Sequence, residues 1–370
     1  MANLFDYLEW RGDVGLSASG FNSVDSLILS VLSYIPFDGI VSAEIDRNGI
    51  SIADAAELFA DSDTAEAAIR NEEDVRLLSA LAASDRFGDM RLTGYVNSID
   101  LTAEKQFSAV TILLGRGRTY VAFRGTDLSL VGWKEDFNMS FRCPVPSQEA
   151  AAVYLEQVAA RLRGKLYVGG HSKGGNLAVY ASVFAKRRTR KRILAVYNND
   201  GPGVSSSILE RDEFREMQDR IFAFIPQSSI IGMLLEHAER YTIVHSDQSG
   251  LMQHDPYSWS VLGTDFVRMQ SVTNESVFID QTVKEWIAGM TLEQREHFVD
   301  VLYRVIGGTE ARTLPELTKD WLKSAMALGK SFKDVDEPTK KALIETLGLL
   351  FKAARNNLDV FRHAREEKKR

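Results

Sequence analysis

Residues 166–178 read Leu166-Tyr167-Val168-Gly169-Gly170-His171-Ser172-Lys173-Gly174-Gly175-Asn176-Leu177-Ala178. A β-prone run, a glycine-flanked serine and an apolar segment of helical spacing follow one another directly. Gly170-His171-Ser172-Lys173-Gly174 matches G-x-S-x-G, the pattern in which a serine stands at the tip of a strained strand-to-helix turn. Such a turn needs glycines, because Cβ atoms there would clash as strand and helix close on each other. It also aims the Lys173 main-chain NH and the helix N-terminus at any oxygen above Ser172, which stabilises developing negative charge. A phosphate-binding loop does not fit, since G-x-x-x-x-G-K-[ST] is missing and Lys173 precedes its glycine pair.

The flanks extend this reading. Upstream, residues 22–85 are expected to be helical, with Val24, Leu27, Ile28, Val31, Leu32 and Ile35 at helical spacing behind a capping-type Asn22-Ser23. Residues 107–114 and 119–123 are β-rich runs separated by Gly115-Arg116-Gly117-Arg118, a hairpin signal. An amphipathic helix over 148–162 precedes the elbow strand, and further strands are expected at 193–197, 221–225 and 241–244. Strands alternating with helices predict a three-layer α/β fold around a mostly parallel sheet. From residue 274 the pattern turns helical, at 277–288, 292–306, 314–327 and 339–361. The expected organisation is therefore a domain over 1–273, with an N-terminal helical segment at 20–90, and a C-terminal helical region over 274–370.

Composition limits the alternatives. A chain of 370 residues with 45% hydrophobic content can bury a large core, and a net charge of -7 argues against nucleic acid as the main partner. The single cysteine, Cys143, cannot close a disulfide within the chain. The first residues mix Asp6, Glu9 and Asp13 with short apolar stretches, unlike a signal peptide, so a cytoplasmic protein is expected. No cluster has metal-ligand spacing, and neither a metal nor a cofactor is expected. The run Lys186-Arg187-Arg188-Thr189-Arg190-Lys191-Arg192 reads as a solvated loop, with peripheral contact to an anionic membrane as its functional alternative. Oligomeric state is left open.

A serine nucleophile needs a base, and the base needs a group that fixes its tautomer. Among the histidines downstream of Ser172, His254 alone falls in a loop beyond the last expected core strand, in Gln253-His254-Asp255-Pro256, where the base of an α/β-hydrolase belongs. Asp200 ends the strand after the elbow helix and is the first choice for the acid. A plain turn role before Gly201-Pro202-Gly203 competes with it, and Asp247 and Asp255 stand in reserve. The second half of the oxyanion hole is expected at Thr126, in Arg124-Gly125-Thr126-Asp127 after the 119–123 strand. Leu128, Leu130, Val131 and Trp133 then form a short apolar stretch that reads as exposed and is suited to a lid or acyl pocket. Lys173 puts a positive charge next to Ser172, which favours an anionic, lysophospholipid-like ester over neutral fat.

Phe123-Arg124-Gly125-Thr126, Trp133, Asp136 and Gly170-His171-Ser172 together resemble the class 3 (fungal-type) lipases. The elbow through Asn176, Asp200-Gly201-Pro202-Gly203 and Gln253-His254-Asp255-Pro256 are more closely similar to a lipase-like bacterial α/β-hydrolase family classed as a domain of unknown function. The likeness covers about residues 20–270. It implies Ser172 as nucleophile, His254 as base, Thr126 as side-chain oxyanion donor and residues 128–133 as lid. Two departures stand out: Lys173 replaces a leucine-like residue, and residues 227–229 replace the element that carries the acid in class 3 lipases. The expected activity is serine hydrolysis of small-molecule or lipid-like carboxylic esters through an acyl-enzyme. The competing reading is a binding or scaffold protein on the same fold.

Overall fold

The computed structural model describes residues 1–62, 70–127, 130–139, 141–229, 231–235 and 241–307, with scattered positions between 341 and 352. Its main sheet runs in sequence order: β1 (Ile50–Ser51), β2 (Arg91–Asp100), β3 (Lys105–Gly115), β4 (Arg118–Phe123), β5 (Lys165–His171), β6 (Ile193–Asn199), β7 (Ile221–Pro226) and β8 (Tyr241–Val244). β1 pairs with β2 and β3 with β4 in antiparallel fashion. Every step from β4 to β8 is parallel. Between β3 and β4, Gly115 faces Arg118 across a two-residue turn in which Arg116 and Gly117 hold φ of 49° and 68°. A turn with two positive φ values matches the twist of paired strands, and glycine accepts that conformation without strain.

The longer helices among the described residues are α1 (Leu4–Arg11), α2 (Ser23–Leu32), α3 (Ile52–Ala60), α4 (Glu72–Ala82), α5 (Leu130–Asn138), α6 (Pro146–Arg161), α7 (Lys173–Phe184), α8 (Asn274–Ala288) and α9 (Leu292–Gly307). The chain divides into two compact units, one of residues 1–99, 106–125 and 146–272, the other of residues 100–105, 126–145 and 273–370.

The first unit is the three-layer α/β-hydrolase-like fold. Along β4, Tyr120 and Ala122 join one apolar cluster while Val121 and Phe123 join another, as the two-residue period of a strand dictates. The first cluster includes α1 to α4, the second α6 and α7. Asn22 starts α2 with a capping box completed by Asp25, a feature that contributes about 1 kcal/mol. Asp25 is also the buried partner of Arg86. All five guanidinium donors of Arg86 are used, on both Asp25 oxygens and on the carbonyls of Val14, Ser19 and Gly20. Removing one partner of a buried pair of this kind costs about 3–5 kcal/mol. This pair therefore fixes how the N-terminal helices enter the layer.

In the second unit α5 packs on α9. Lys134 of α5 donates to Glu104 at 2.6 Å and to Asp300 of α9 at 2.7 Å. Thr273 caps α8 through Ser276 N, and Trp286 meets Phe298 edge to face at 5.4 Å. The helices expected at 314–327 and 339–361 lie outside the described residues, apart from the scattered positions. No helix among the described residues is long and apolar enough to cross a membrane.

Candidate active site

Ser172 stands between β5 and α7 with φ 59° and ψ -136°. That conformation is sparsely populated for a residue with a Cβ and costs on the order of 1–3 kcal/mol, so its surroundings must impose it. Ser172 N donates to Asn199 O at 2.9 Å, and Gly175 N donates to Ser172 O at 2.9 Å. A Cβ on Gly170 would overlap the Gly174 carbonyl, and one on Gly174 would overlap the Phe123 carbonyl. The motif glycines thus let β4, β5 and α7 approach closely enough to hold the serine in place. Gly125 lies against the same spot, since a Cβ there would come 3.0 Å from Ser172 Cβ.

His171 is in register with Asn199, so Ser172 and Asp200 leave the carboxyl edge of the sheet side by side. Asp200 is fully buried and has φ 51°. Its Oδ2 accepts from His254 Nδ1 at 2.7 Å, and its Oδ1 accepts from Ser229 Oγ at 2.5 Å. Ser229 Oγ in turn accepts from Gly232 N at 2.9 Å. A carboxylate at Nδ1 leaves Nε2 as the proton-accepting nitrogen of His254. The ring remains 27% exposed. The loop that carries His254 is held by Gln253, whose Oε1 accepts from Ser228 N at 2.7 Å and whose carbonyl accepts from Trp259 Nε1 at 3.0 Å. The reserve carboxylates are engaged elsewhere: Asp247 takes the terminal ammonium at 3.0 Å, and Asp255 accepts from Tyr257 N at 3.2 Å.

His171, Tyr34, Ser229 and Gln253 were not picked out by sequence reasoning. His171 is buried, with Nδ1 3.0 Å from Tyr34 Oη and Nε2 2.8 Å from the carbonyl oxygen of His254. Burial, followed by the nearby His254 and Arg70, holds its pKa well below the ordinary 6.5. The only sequence signal for it was its place inside the elbow motif.

The charge expected beside Ser172 is not presented there. Lys173 is 1% exposed, and its Nζ donates to the Gln106 carbonyl at 3.0 Å and to Gln106 Oε1 at 2.6 Å on β3. That charge therefore gives no preference for anionic esters, because the ammonium is spent inside the fold. Its main-chain NH still opens α7. The Thr126 hydroxyl donates to Asp136 Oδ2 at 2.5 Å. Of the apolar stretch, Leu128 lies outside the described residues, while Leu130, Val131 and Trp133 belong to α5. Val131 is 3% exposed, so it does not face water as its sequence context suggested. In the basic run, Arg190 and Arg192 are occupied by Glu216 and by main-chain carbonyls, whereas Lys186, Arg187, Arg188 and Lys191 are exposed.

The Mbeg1-like family model matches residues 81–304. No curated protein matches the chain. Among solved structures, one described as the crystal structure of M37 lipase is similar over 56% of this chain and 68% of that one, at 16% identity and a TM-score of 0.35.

Proposed function

Since the chain belongs to the Mbeg1-like family, whose model spans both the elbow and the Asp200–His254 pair, we propose that it is a serine hydrolase of carboxylic, lipid-like esters. The observation that carries this reading is the 2.7 Å contact of His254 Nδ1 with a buried carboxylate, beside a serine forced into an elbow conformation. In the reaction His254 Nε2 takes the Ser172 proton as Oγ attacks the ester carbonyl. The oxyanion is met by the Lys173 NH at the start of α7. One such donor is worth about 3–4 kcal/mol. Collapse of the adduct releases the alcohol, which leaves with the proton held by His254, and water then hydrolyses the acyl-enzyme by the same route. The exposed Lys186, Arg187, Arg188 and Lys191 add a peripheral contact with anionic lipid to the proposal.

The test is labelling by a fluorophosphonate probe, with Ser172→Ala as the control. Labelling of the wild type that is lost in the variant supports the nucleophile assignment. A folded wild type that neither labels nor hydrolyses short-chain nitrophenyl esters points to a binding protein on a hydrolase fold.

A further inference from the structure

His171 immediately precedes the nucleophile but has no place in the triad, and its contacts are specific. A carbonyl oxygen can only accept, so the 2.8 Å contact with the His254 carbonyl requires that His171 Nε2 carry a proton. In the neutral ring Nδ1 is then the acceptor, and the Tyr34 hydroxyl at 3.0 Å donates to it. The Tyr34 ring is itself covered by the Arg70 guanidinium at 3.9 Å, and Arg70 is tied to Asp74 at 2.8 Å. The two imidazoles lie with centroids 4.6 Å apart, tilted by 33°.

Asp200 holds His254 only at Nδ1. A ring fixed at one atom can still move with its main chain, and the 3-10 turn that carries it, Gly250–His254, has no side-chain cap. We propose that His171 is a positioning residue, which fastens the main chain of the base loop to the elbow through Nε2–H and the His254 carbonyl, so that base and nucleophile keep their relative placement during turnover. Tyr34 sets the tautomer that makes this contact. The ring must also stay neutral. A cation stacked beside His254 would oppose the imidazolium that forms there during reaction, and burial with Arg70 nearby keeps that proton off. This inference rests on the triad reading above, and it makes a claim about geometry that can be checked without turnover.

The experiment compares His171→Leu, His171→Gln and Tyr34→Phe with the wild type. Readouts are kcat and KM for a short-chain nitrophenyl ester and the downfield proton NMR resonance of His254 Nδ1–H. His171→Leu is expected to lower kcat about 10²-fold, the loss associated with a misplacement near 1 Å, with KM little changed and the downfield resonance broadened or lost. His171→Gln keeps an N–H donor and should recover most of both signals. Tyr34→Phe leaves both imidazoles in place and should fall between, which covers the case in which His171→Leu does not fold. A folded His171→Leu with wild-type kcat and an unchanged resonance overturns the inference. So does failure of all three variants to alter the resonance. If the wild type has no esterase activity the triad reading fails, but the resonance still decides whether His171 orders His254.

Discussion

The two ends of the parallel strands solve opposite problems. At their carboxyl ends β5, β6 and β7 lead into Ser172, Asp200 and Ser229, short side chains that are partly or fully buried; the first two hold positive φ. At the amino ends stand Lys165, Arg192 and Arg220, long side chains that extend to main-chain groups or water. Arg192 donates to the carbonyls of Ala159, Leu162 and Gly164, closing the end of α6, and Arg220 donates to those of Arg190 and Ile193. The arginines are there to satisfy orphan carbonyls, and many side-chain paths would do so. On the proposed reaction the carboxyl end tolerates one geometry, because the proton passed from Ser172 to His254 requires a separation right to a fraction of an ångström. Substitutions at the two ends should therefore differ by orders of magnitude in their effect on turnover.

The widest gap is expected at Ser172. Ser172→Ala removes only a hydroxyl, so the fold should survive while hydrolysis of a nitrophenyl ester falls by about 10⁶-fold, the scale of deleting the nucleophile of a serine protease. His254→Ala should match it. Residual turnover in Ser172→Ala equal to that of the wild type would dismiss the carboxyl end as the reactive one. Asp200→Asn comes next at about 10⁴-fold, since the amide cannot hold His254 in the required tautomer. Near-normal rates in that variant, with a crippled Asp247→Asn or Asp255→Asn, would move the acid elsewhere. Ser229→Ala removes one of the hydrogen bonds accepted by the Asp200 carboxylate and is expected to cost about tenfold in kcat, on the scale of a bond to a charged group. A loss as large as that of Asp200→Asn would mean that Ser229 does more than orient the acid.

What could be read from the sequence follows the same division. The elbow was legible because strand, serine, glycines and helix are contiguous, and each glycine has a local reason to be there. The pair of Asp200 with His254 was only half legible. The residues stand 54 positions apart, and no periodicity says which of three aspartates folds onto a given histidine. Ser229 was invisible, because nothing in a serine at the end of β7 announces that its hydroxyl will donate to a carboxylate contributed by β6. Residues 227–229 carry no carboxylate, and Ser229 donates instead to Asp200, which follows β6. Lys173 misled for a general reason: adjacency to the nucleophile along the chain does not set the direction of a long side chain, and this one runs into the sheet to Gln106. Val131 misled because an apolar run looks exposed until its helix has something to pack against.

Acid stability offers a narrower contrast. His171 at the carboxyl end is faced by Tyr34, Arg70 and His254, and its pKa is held well below the ordinary 6.5. The folded state therefore binds fewer protons there than the unfolded chain does. This contribution to stability is complete above about pH 6.5 and is lost as pH falls below that value toward the depressed folded pKa. Denaturant midpoints measured from about pH 7 down to about pH 5 should fall more steeply for the wild type than for His171→Gln, which has no titrating group at that position. Identical slopes would mean that His171 takes up its proton over the same pH range in the folded protein as in the unfolded chain.

The smallest effect on turnover belongs to the amino ends, where the exposed cations Lys186, Arg187, Arg188 and Lys191 are candidates for lipid contact rather than chemistry. The seven residues of β5 span roughly 23 Å at 3.3 Å per residue. That is more than two screening lengths at physiological salt, each about 8 Å, so charges at one end have little influence at the other. Replacing all four cations by glutamate should leave hydrolysis of a soluble short-chain ester within about twofold of the wild type. The same variant should lose salt-sensitive binding to vesicles containing an anionic phospholipid, because each basic residue near such a surface contributes about 1 kcal/mol. Zwitterionic vesicles serve as the control. Binding that persists in the glutamate variant removes the basic run from any membrane role. A large change in soluble turnover would instead show that the two ends are coupled and that screening across β5 has been overstated.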